Sequence, residues 1–336
     1  MVTIQELSKK CGVSISTVSK ALNGYSDISD KTRELVINTA NALGYFPNAG
    51  ARAVKLKKTY NIGILFNNPN VSFRNEYFAH VIAAFREEAA MHGYEITFIE
   101  KHIGRRKMTY LEHCQYRHFD GVCIVSADSE HDEVIKLINS EIPVVTIDHA
   151  MPKAYSVISD NFSGMKQLTN FVIHQGHARI AYIYGNKDTP ITRNRLDGFY
   201  AALEENKIKV PEDYVVEGMY RNAILAEELT VKLLLLEQRP TCILAPDDVS
   251  CMGILNGIRK TGLIPARDIS VAGYDGSDHK LLIGAKLTTV KQDKEHIGKE
   301  AAKRLIHIME HGNALTLDSV AVKPTLIIGN SVRKLA

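Results

Sequence analysis

Two patterns of apolar and polar positions divide the chain. Over the first 45 residues, apolar side chains recur at helical spacing in three short bursts. Thr3, followed three residues later by Glu6, forms a capping box that opens the helix IQELSKK. Cys11-Gly12-Val13 reads as a tight turn. Ser14 can cap a second helix, Ile15 to Leu22, which Asn23-Gly24 stops. Ser29 can cap a third, DKTRELVINTANAL, with Val36, Ala40 and Leu43 on one face and Gly44 just past its end. Two short helices joined by a glycine-containing turn, then a third, predict a helix-turn-helix. Pro47 breaks the pattern. The following stretch to Lys58 has only weak helical turns and ends in basic residues, as a linker would.

From Tyr60 onward the period changes. Apolar runs of strand length, NIGILF, YEITFI, GVCIVS, PVVTID, RIAYIYG, TCILAP and ISVAGYD, alternate with amphipathic segments such as NEYFAHVIAAFREEAAMHG and RNRLDGFYAALEENK. Buried strands alternating with helices predict parallel sheets covered on both faces. About 275 residues exceed what one such sheet holds, so two lobes are expected. The βα units recur weakly, as two lobes would require. The fold class expected is therefore an all-α helix-turn-helix head joined to a two-lobed, doubly wound α/β body.

Charge sharpens this division. The first 58 residues carry nine Lys/Arg against four Asp/Glu, a net +5, whereas the remainder carries a net −2. A small basic module suits a polyanion, with nucleic acid the first expectation. In the second helix Val13, Val18 and Leu22 can pack inward. That leaves Ile15, Ser16, Thr17, Ser19 and Lys20 outward near the helix N-terminus, the end from which recognition helices reach base edges. Hydroxyls and N-terminal N–H groups suit phosphate oxygens, Ile15 a thymine methyl, and Lys20 a guanine edge or a phosphate. The five cysteines are scattered, without metal or disulfide spacing, which predicts reduced thiols in a cytoplasmic protein. His174 and His177 are the nearest thing to a ligand pair, in a helix-ending HQGH, and no metal or cofactor is expected. The N-terminus has no apolar core of a secretory signal and no run reaches membrane-spanning length.

In the body, polar residues stand just past the expected strands: Asn67 and Asn68, Asp148, Asp247 and Asp248, and Asp275, with Arg193 and Arg195 opening a helix. Carboxylates, amides and a guanidinium at strand C-termini form a kit for the hydroxyls of a small ligand. Each aspartate singly could equally cap a helix. The pair Asp247 and Asp248 could serve acid–base chemistry, but no GxSxG, no phosphate loop and no HExxH accompanies it, so an enzyme is not expected.

The segments VTIQELSKKCGVSISTVSKALNG, the Thr-Arg pair opening the third helix and GYFPN resemble the DNA-binding head of the lactose-repressor (LacI/GalR) family, and the resemblance continues through the whole chain. It implies a homodimeric repressor reading a pseudo-palindromic double-stranded DNA operator. The domains would be 1–46 for the head, 47–58 for a hinge helix, and 59–336 for an effector-binding and dimerisation body resembling periplasmic sugar-binding proteins. The lobes would comprise about 59–159 plus 289–318 and about 160–288 plus 319–336. It places Thr3, Ser14, Ile15, Ser16, Thr17, Ser19, Lys20, Asn23, Ser29, Thr32, Tyr45 and Asn48 towards DNA, with Ile15 and Ser16 varying with operator sequence. Ala51, Arg52 and Val54 would lie on a hinge helix in the minor groove, Val54 standing where the family usually has leucine as the wedge. Gly50 would weaken the free hinge helix by about 1 kcal/mol relative to alanine. RLDGF, GYD and LTTVKQD resemble effector-pocket segments. Arg195 and Asp275 match the most consistent ligand contacts; Asn67, Phe73, Tyr77, Asp148, Arg193, Tyr220, Asp247 and Lys294 complete the expected pocket. A sugar is the effector expected, a nucleobase or sugar phosphate the alternative. Asp247 stands where sugar-binding members often have asparagine and Lys294 where many have an aromatic residue, which implies an unusually polar, even charged, effector. The chain ends at SVRKLA without heptads, which favours a dimer over a tetramer.

Overall fold

The structure, a computed structural model, describes residues 2–46, 58–66, 75–125, 131–277, 286–312 and 319–335. The chain divides into two units, Met1–Tyr60 and Asn61–Ala336.

In the first unit, three helices form where caps and periodicity place them: α1 (Ile4–Cys11), α2 (Ile15–Leu22) and α3 (Asp30–Leu43). Thr3 and Glu6 make the reciprocal capping box, and the Ser14 and Ser29 hydroxyls each accept the N–H three residues on. Gly12 and Gly44 end α1 and α3 in the left-handed conformation, which costs glycine little. Leu7, Val18, Ala21, Val36 and Ala40 form the small core, with Val13, Leu22, Leu43 and Tyr45 packed around it.

The second unit holds two six-stranded sheets. The first comprises β1 (Asn61–Phe66), β2 (Glu95–Phe98), β5 (Gly121–Val125), β6 (Val144–Ile147), β7 (Tyr155–Ser159) and β13 (Val320–Val322), in the order β13-β7-β6-β5-β1-β2, every pairing parallel. The second comprises β8 (Ile180–Tyr184), β9 (Val215–Glu217), β10 (Cys242–Leu244), β11 (Ser270–Asp275), β12 (Thr288–Lys291) and β14 (Thr325–Ile327), in the order β14-β12-β11-β10-β8-β9. Only β14 there runs antiparallel. A short hairpin, β3 (His102–Ile103) with β4 (Arg106–Lys107), stands apart from both sheets.

Helices α4 (Glu76–Met91), α5 (Tyr110–Arg117), α6 (Asp132–Ile138) and α11 (Lys294–His311) accompany the first sheet. Helices α7 (Asn161–His174), α8 (Pro190–Glu205), α9 (Ala223–Leu234) and α10 (Asp248–Lys260) accompany the second. The two lobes have separate cores, one around Leu65, Val122 and Ile124, the other around Ile183, Ile243 and Tyr182. Helix pairs approach closely. A Cβ on Gly298 of α11 would lie 2.2 Å from the Val81 carbonyl of α4, and one on Gly253 of α10 would lie 1.8 Å from that of Ala223 on α9.

The expected lobe boundaries shift. Residues 289–291, expected in the first lobe, belong to β12, which pairs with β11 in the second sheet. Residues 320–322, expected in the second lobe, form β13, which pairs with β7 in the first. Both strands are three or four residues long, too short for periodicity to reveal a sheet; only pairing decides. The chain therefore crosses between lobes at 160, at 292–293 and at 323–324.

Candidate functional site

On the head, α2 turns its apolar side inward. Val18 is buried, whereas Ile15, Ser16 and Lys20 are exposed and Thr17 and Ser19 half-buried. The Ser14 hydroxyl lies 2.9 Å from that of Ser16 and 2.8 Å from that of Thr17, a cluster of hydroxyls at the helix N-terminus. Lys20 is not free: its ammonium pairs with the Asp27 carboxylate from the turn after α2. The Asn23 amide donates to the Ser19 carbonyl, and the Thr32 hydroxyl is 2.9 Å from that of Ser29, so both serve helix ends. Tyr45 packs partly into the head core. The expected hinge residues Asn48, Ala51, Arg52 and Val54 lie outside the described residues, as do Asn67 and Phe73 of the expected pocket.

In the body, charged side chains gather where strand C-termini of both sheets end. Asp148 follows β6. Its backbone is in the left-handed region, φ 66°, and its Oδ1 accepts from the Tyr77 hydroxyl of α4 at 2.8 Å. Asp275 ends β11 at φ 109°, and its Oδ1 accepts from the Gln292 amide at 2.7 Å. A non-glycine residue at such angles costs of order 1–3 kcal/mol and persists where surrounding structure enforces it, as at ligand sites.

Arg195, on α8, is buried. Its Nε donates to Asn161 Oδ1 at 2.8 Å and its Nη1 to the Pro246 carbonyl at 2.8 Å. Its guanidinium lies 3.5 Å from the Tyr274 ring centre and 5.6 Å from that of Tyr220. The Tyr220 hydroxyl is 2.8 Å from that of Thr192.

Burial raises both acids. The Asp148 carboxyl is pushed up to about 7, the Tyr77 hydrogen bond and Arg195 opposing. The Asp275 carboxyl is pushed up to about 6, again by burial, with Arg195 opposing and Asp247 adding to it. Arg195 holds down both Asp148, which follows β6 of the first sheet, and Asp275, which ends β11 of the second.

Comparison with known proteins identifies this arrangement. Residues 3–48 match the family model of bacterial regulatory proteins, lacI family, and residues 169–332 that of the periplasmic binding protein-like domain; together the matches span more than half of the chain. The head thus matches the lacI family, and the body matches the periplasmic binding protein-like domain. A relative similar over its entire length, 28% identical with both chains fully covered, is the HTH-type transcriptional repressor PurR of Mannheimia succiniciproducens. Among solved structures, the lac repressor dimer bound to operator and the anti-inducer ONPF superposes with a TM-score of 0.83 at 24% identity over 99% of each chain. The transcriptional regulator CelR–cellobiose complex does so with a TM-score of 0.71 at 24% identity, covering 98% of this chain and 100% of that one. These likenesses establish the fold, a helix-turn-helix head with a two-lobed α/β body.

Within this two-lobed body, the expected pocket residues separate. Tyr77, Asp148, Arg195, Tyr220 and Asp275 come together. Arg193 does not: it is exposed on α8 and donates to the Asp188 carbonyl, because it is two residues from Arg195 and on another side of the helix. Asp247 is buried in the cluster but caps α10. Its oxygens accept from Ser250 N at 2.8 Å, Ser250 Oγ at 3.2 Å and Arg221 N at 2.6 Å, which leaves little for a ligand. Asp248 is likewise engaged, by the Thr289 hydroxyl at 2.6 Å and Ser277 N at 2.7 Å, and burial pushes its carboxyl up to about 8. Lys294, half-buried at the start of α11, draws the Asp275 carboxyl down. It also lines a cavity of about 570 Å³ with Glu76, His80, Asp248, Cys251 and Gln292. That cavity includes none of Tyr77, Asp148, Arg195, Tyr220 or Asp275.

Sequence reasoning passed over Asn161, Tyr274 and Gln292. Gln292 stands inside the LTTVKQD segment, and Tyr274 immediately precedes Asp275, so proximity to recognised residues was the available signal. Asn161 gave none, since it opens a helix like many asparagines. His177 has both ring nitrogens engaged, one 2.9 Å from the Thr241 hydroxyl and the other 3.1 Å from the Arg333 carbonyl, so its burial is structural.

Proposed function

We propose that this protein is a transcriptional repressor of the lacI family. Its paired heads bind a pseudo-palindromic operator, and a small polar effector in the cleft between the lobes sets the affinity. The observation that carries this reading is that the buried Arg195 acts electrostatically on an acid from the strand ends of each sheet, Asp148 and Asp275. A ligand gripped by both would hold the lobes together. Closure of two lobes alters the spacing of anything attached to them, and coupling of this kind amounts to about 1–3 kcal/mol.

Carboxylate oxygens beside a guanidinium and the Tyr220 ring suit a sugar: hydroxyls donate to the acids, the fixed fork donates to ring oxygens, and an aromatic face covers C–H groups. The cellobiose held by CelR accords with this. A nucleobase is the second reading. The flat surfaces of Tyr220 and Arg195 would stack on one, and the full-length relative bears the name PurR rather than that of a sugar regulator. Catalysis finds little support, because Asp247 and Asp248 spend their oxygens on helix capping and on Thr289 and Ser277.

Operator binding followed with and without a panel of sugars, sugar phosphates and nucleobases tests the proposal. Arg195→Ala should lose the response to whichever ligand acts on the parent protein and still shift operator DNA. A variant that responds normally would place the effector site elsewhere.

A further inference from the structure

The first two passages of the chain between the lobes repeat one design. Asp160 follows β7 of the first sheet and caps α7, accepting from Ser163 N at 3.0 Å. Asp293 follows β12 of the second sheet and caps α11, accepting from His296 N at 3.0 Å. Their backbones match, φ −73° and ψ 77° against φ −82° and ψ 75°, close to the inverse γ-turn. At Asp293 the backbone closes the turn, Lys294 N donating to the Gln292 carbonyl at 3.0 Å. At Asp160 a side chain spans it: Asn161 Nδ2 donates to the Ser159 carbonyl at 3.0 Å, closing a ring around the crossover residue. Each passage also carries a buried amide bonded to a charged residue of the expected pocket. Asn161 Oδ1 accepts from Arg195 Nε at 2.8 Å, and Gln292 Nε2 donates to Asp275 Oδ1 at 2.7 Å. Asp160 N donates to the carbonyl of Val322, the last residue of β13, at 2.9 Å, which ties the first passage to the third.

The restraints on Arg195 lead outward through one residue. Its bond to the Pro246 carbonyl and its contact with the Tyr274 ring stay within the second lobe. Among the described residues that it bonds, only Asn161 has a bond back to the first sheet, through Ser159. A swing of one lobe against the other is absorbed in the torsions of a few such residues. Turning Asp160 either breaks the bond from Asn161 to Ser159 or carries the amide, and the Arg195 Nε that it holds, to a new place. The amide is buried, with 4% of its residue exposed, so neither bond is given up to water freely.

We infer, resting on the cleft being the effector site, that Asn161 is a positioning residue that couples ligand contact at Arg195 to the torsions of Asp160. A ligand that draws on the guanidinium draws on the amide, and the amide selects one setting of the crossover. Arg195 thus decides whether the effector is held, and Asn161 decides how far the operator affinity changes once it is.

Operator binding by the full-length protein, without and with saturating cellobiose, ribose, glucose, adenine or guanine, gives a ratio of two affinities. For coupled sites that ratio is about 5–150-fold. Asn161→Asp keeps an acceptor for Arg195 and loses the donor to Ser159; Asn161→Ala loses both and adds no charge. In each the ratio at saturation should fall fivefold or more towards 1, while the active probe still raises the melting temperature of Asn161→Asp. Melting of the free variants shows which are folded, and one folded variant suffices. A side chain that only held Arg195 in place would shift the probe concentration for half-response, leave the ratio at saturation unchanged and be rescued by aspartate. That result overturns the inference and leaves the effector reading standing. Loss of probe binding by folded Asn161→Asp overturns it too, since Asn161 would then serve binding alone. A parent protein that no probe moves, or an Arg195→Ala variant that responds in full, overturns the effector reading and the inference with it.

Discussion

At the level of single residues, the head shows a contact that alters how its chemistry is read. Lys20 is the cation nearest the exposed face of α2, and Asp27, seven residues on, holds it. Both side chains are about half exposed, 45% and 52%, so the pair is weak and yields to a phosphate or base edge. Lys20→Ala should weaken operator binding and reduce the slope of log affinity against log salt by about 1. Asp27→Asn should strengthen binding to operator and to random DNA alike, because it frees the same lysine. Titrations between low and moderate salt check both, and an unchanged affinity and slope for Lys20→Ala would remove α2 from the interface. The lysine was legible in the sequence; its partner was not, since a loop carboxylate seven residues away has no fixed geometry until α2 and the following turn are built.

Among the elements, helix contacts in the body depend on glycine. Gly298 lets α11 lie on the Val81 turn of α4, and Gly253 lets α10 lie on the Ala223 turn of α9. A methyl group at either would meet backbone that cannot turn aside, and overpacking of this kind costs about 1–3 kcal/mol. Gly298→Ala should therefore lower the melting temperature of the body and leave the head folded, which separate spectroscopic probes of the two units would show; an unshifted transition would mean that the helices slide apart freely. Caps act on the same scale. Ser14 accepts the Thr17 N–H at 3.1 Å, and Ser14→Ala should cost the head about 1 kcal/mol, measured by chemical denaturation. The caps and turns of α1 to α3 were readable because each depends on residues within four positions. The strands β7, β9, β12, β13 and β14 were not, because their short segments stand in no long apolar run of the kind that marked the other strands.

For the whole molecule, the raised carboxyls predict how stability follows pH. In the folded, ligand-free body Asp275, Asp148 and Asp248 hold protons up to about 6, 7 and 8. In the unfolded chain they release them near ~4. Between those limits the folded state binds more protons, so stability falls as pH rises through the window from about 4 to about 8. The melting temperature of the body should thus be lower at pH 8 than at pH 5.5. Asp248→Asn should flatten the upper part of the curve and Asp148→Asn its middle. A melting temperature that climbs with pH across this range would contradict the burial of these acids.

What the sequence determined by itself was local: the three head helices and their caps, the outward face of α2, the alternation of buried strands with helices, and the identity of Arg195, Asp148 and Asp275 as residues at strand or helix ends. Each of these is written in side-chain spacing within one turn or one strand. Tertiary structure alone decided which sheet β12 and β13 join, that Asp247 caps a helix, that Arg193 points away, and that Asn161 and Gln292 brace Arg195 and Asp275. Most of these outcomes depend on pairings between residues distant in sequence, 17 positions apart for Asp275 with Gln292 and 163 for Ser159 with Val322, which no local pattern encodes. The placing of the two acids belongs to the second kind, since Asp148 follows β6 of the first sheet and Asp275 ends β11 of the second.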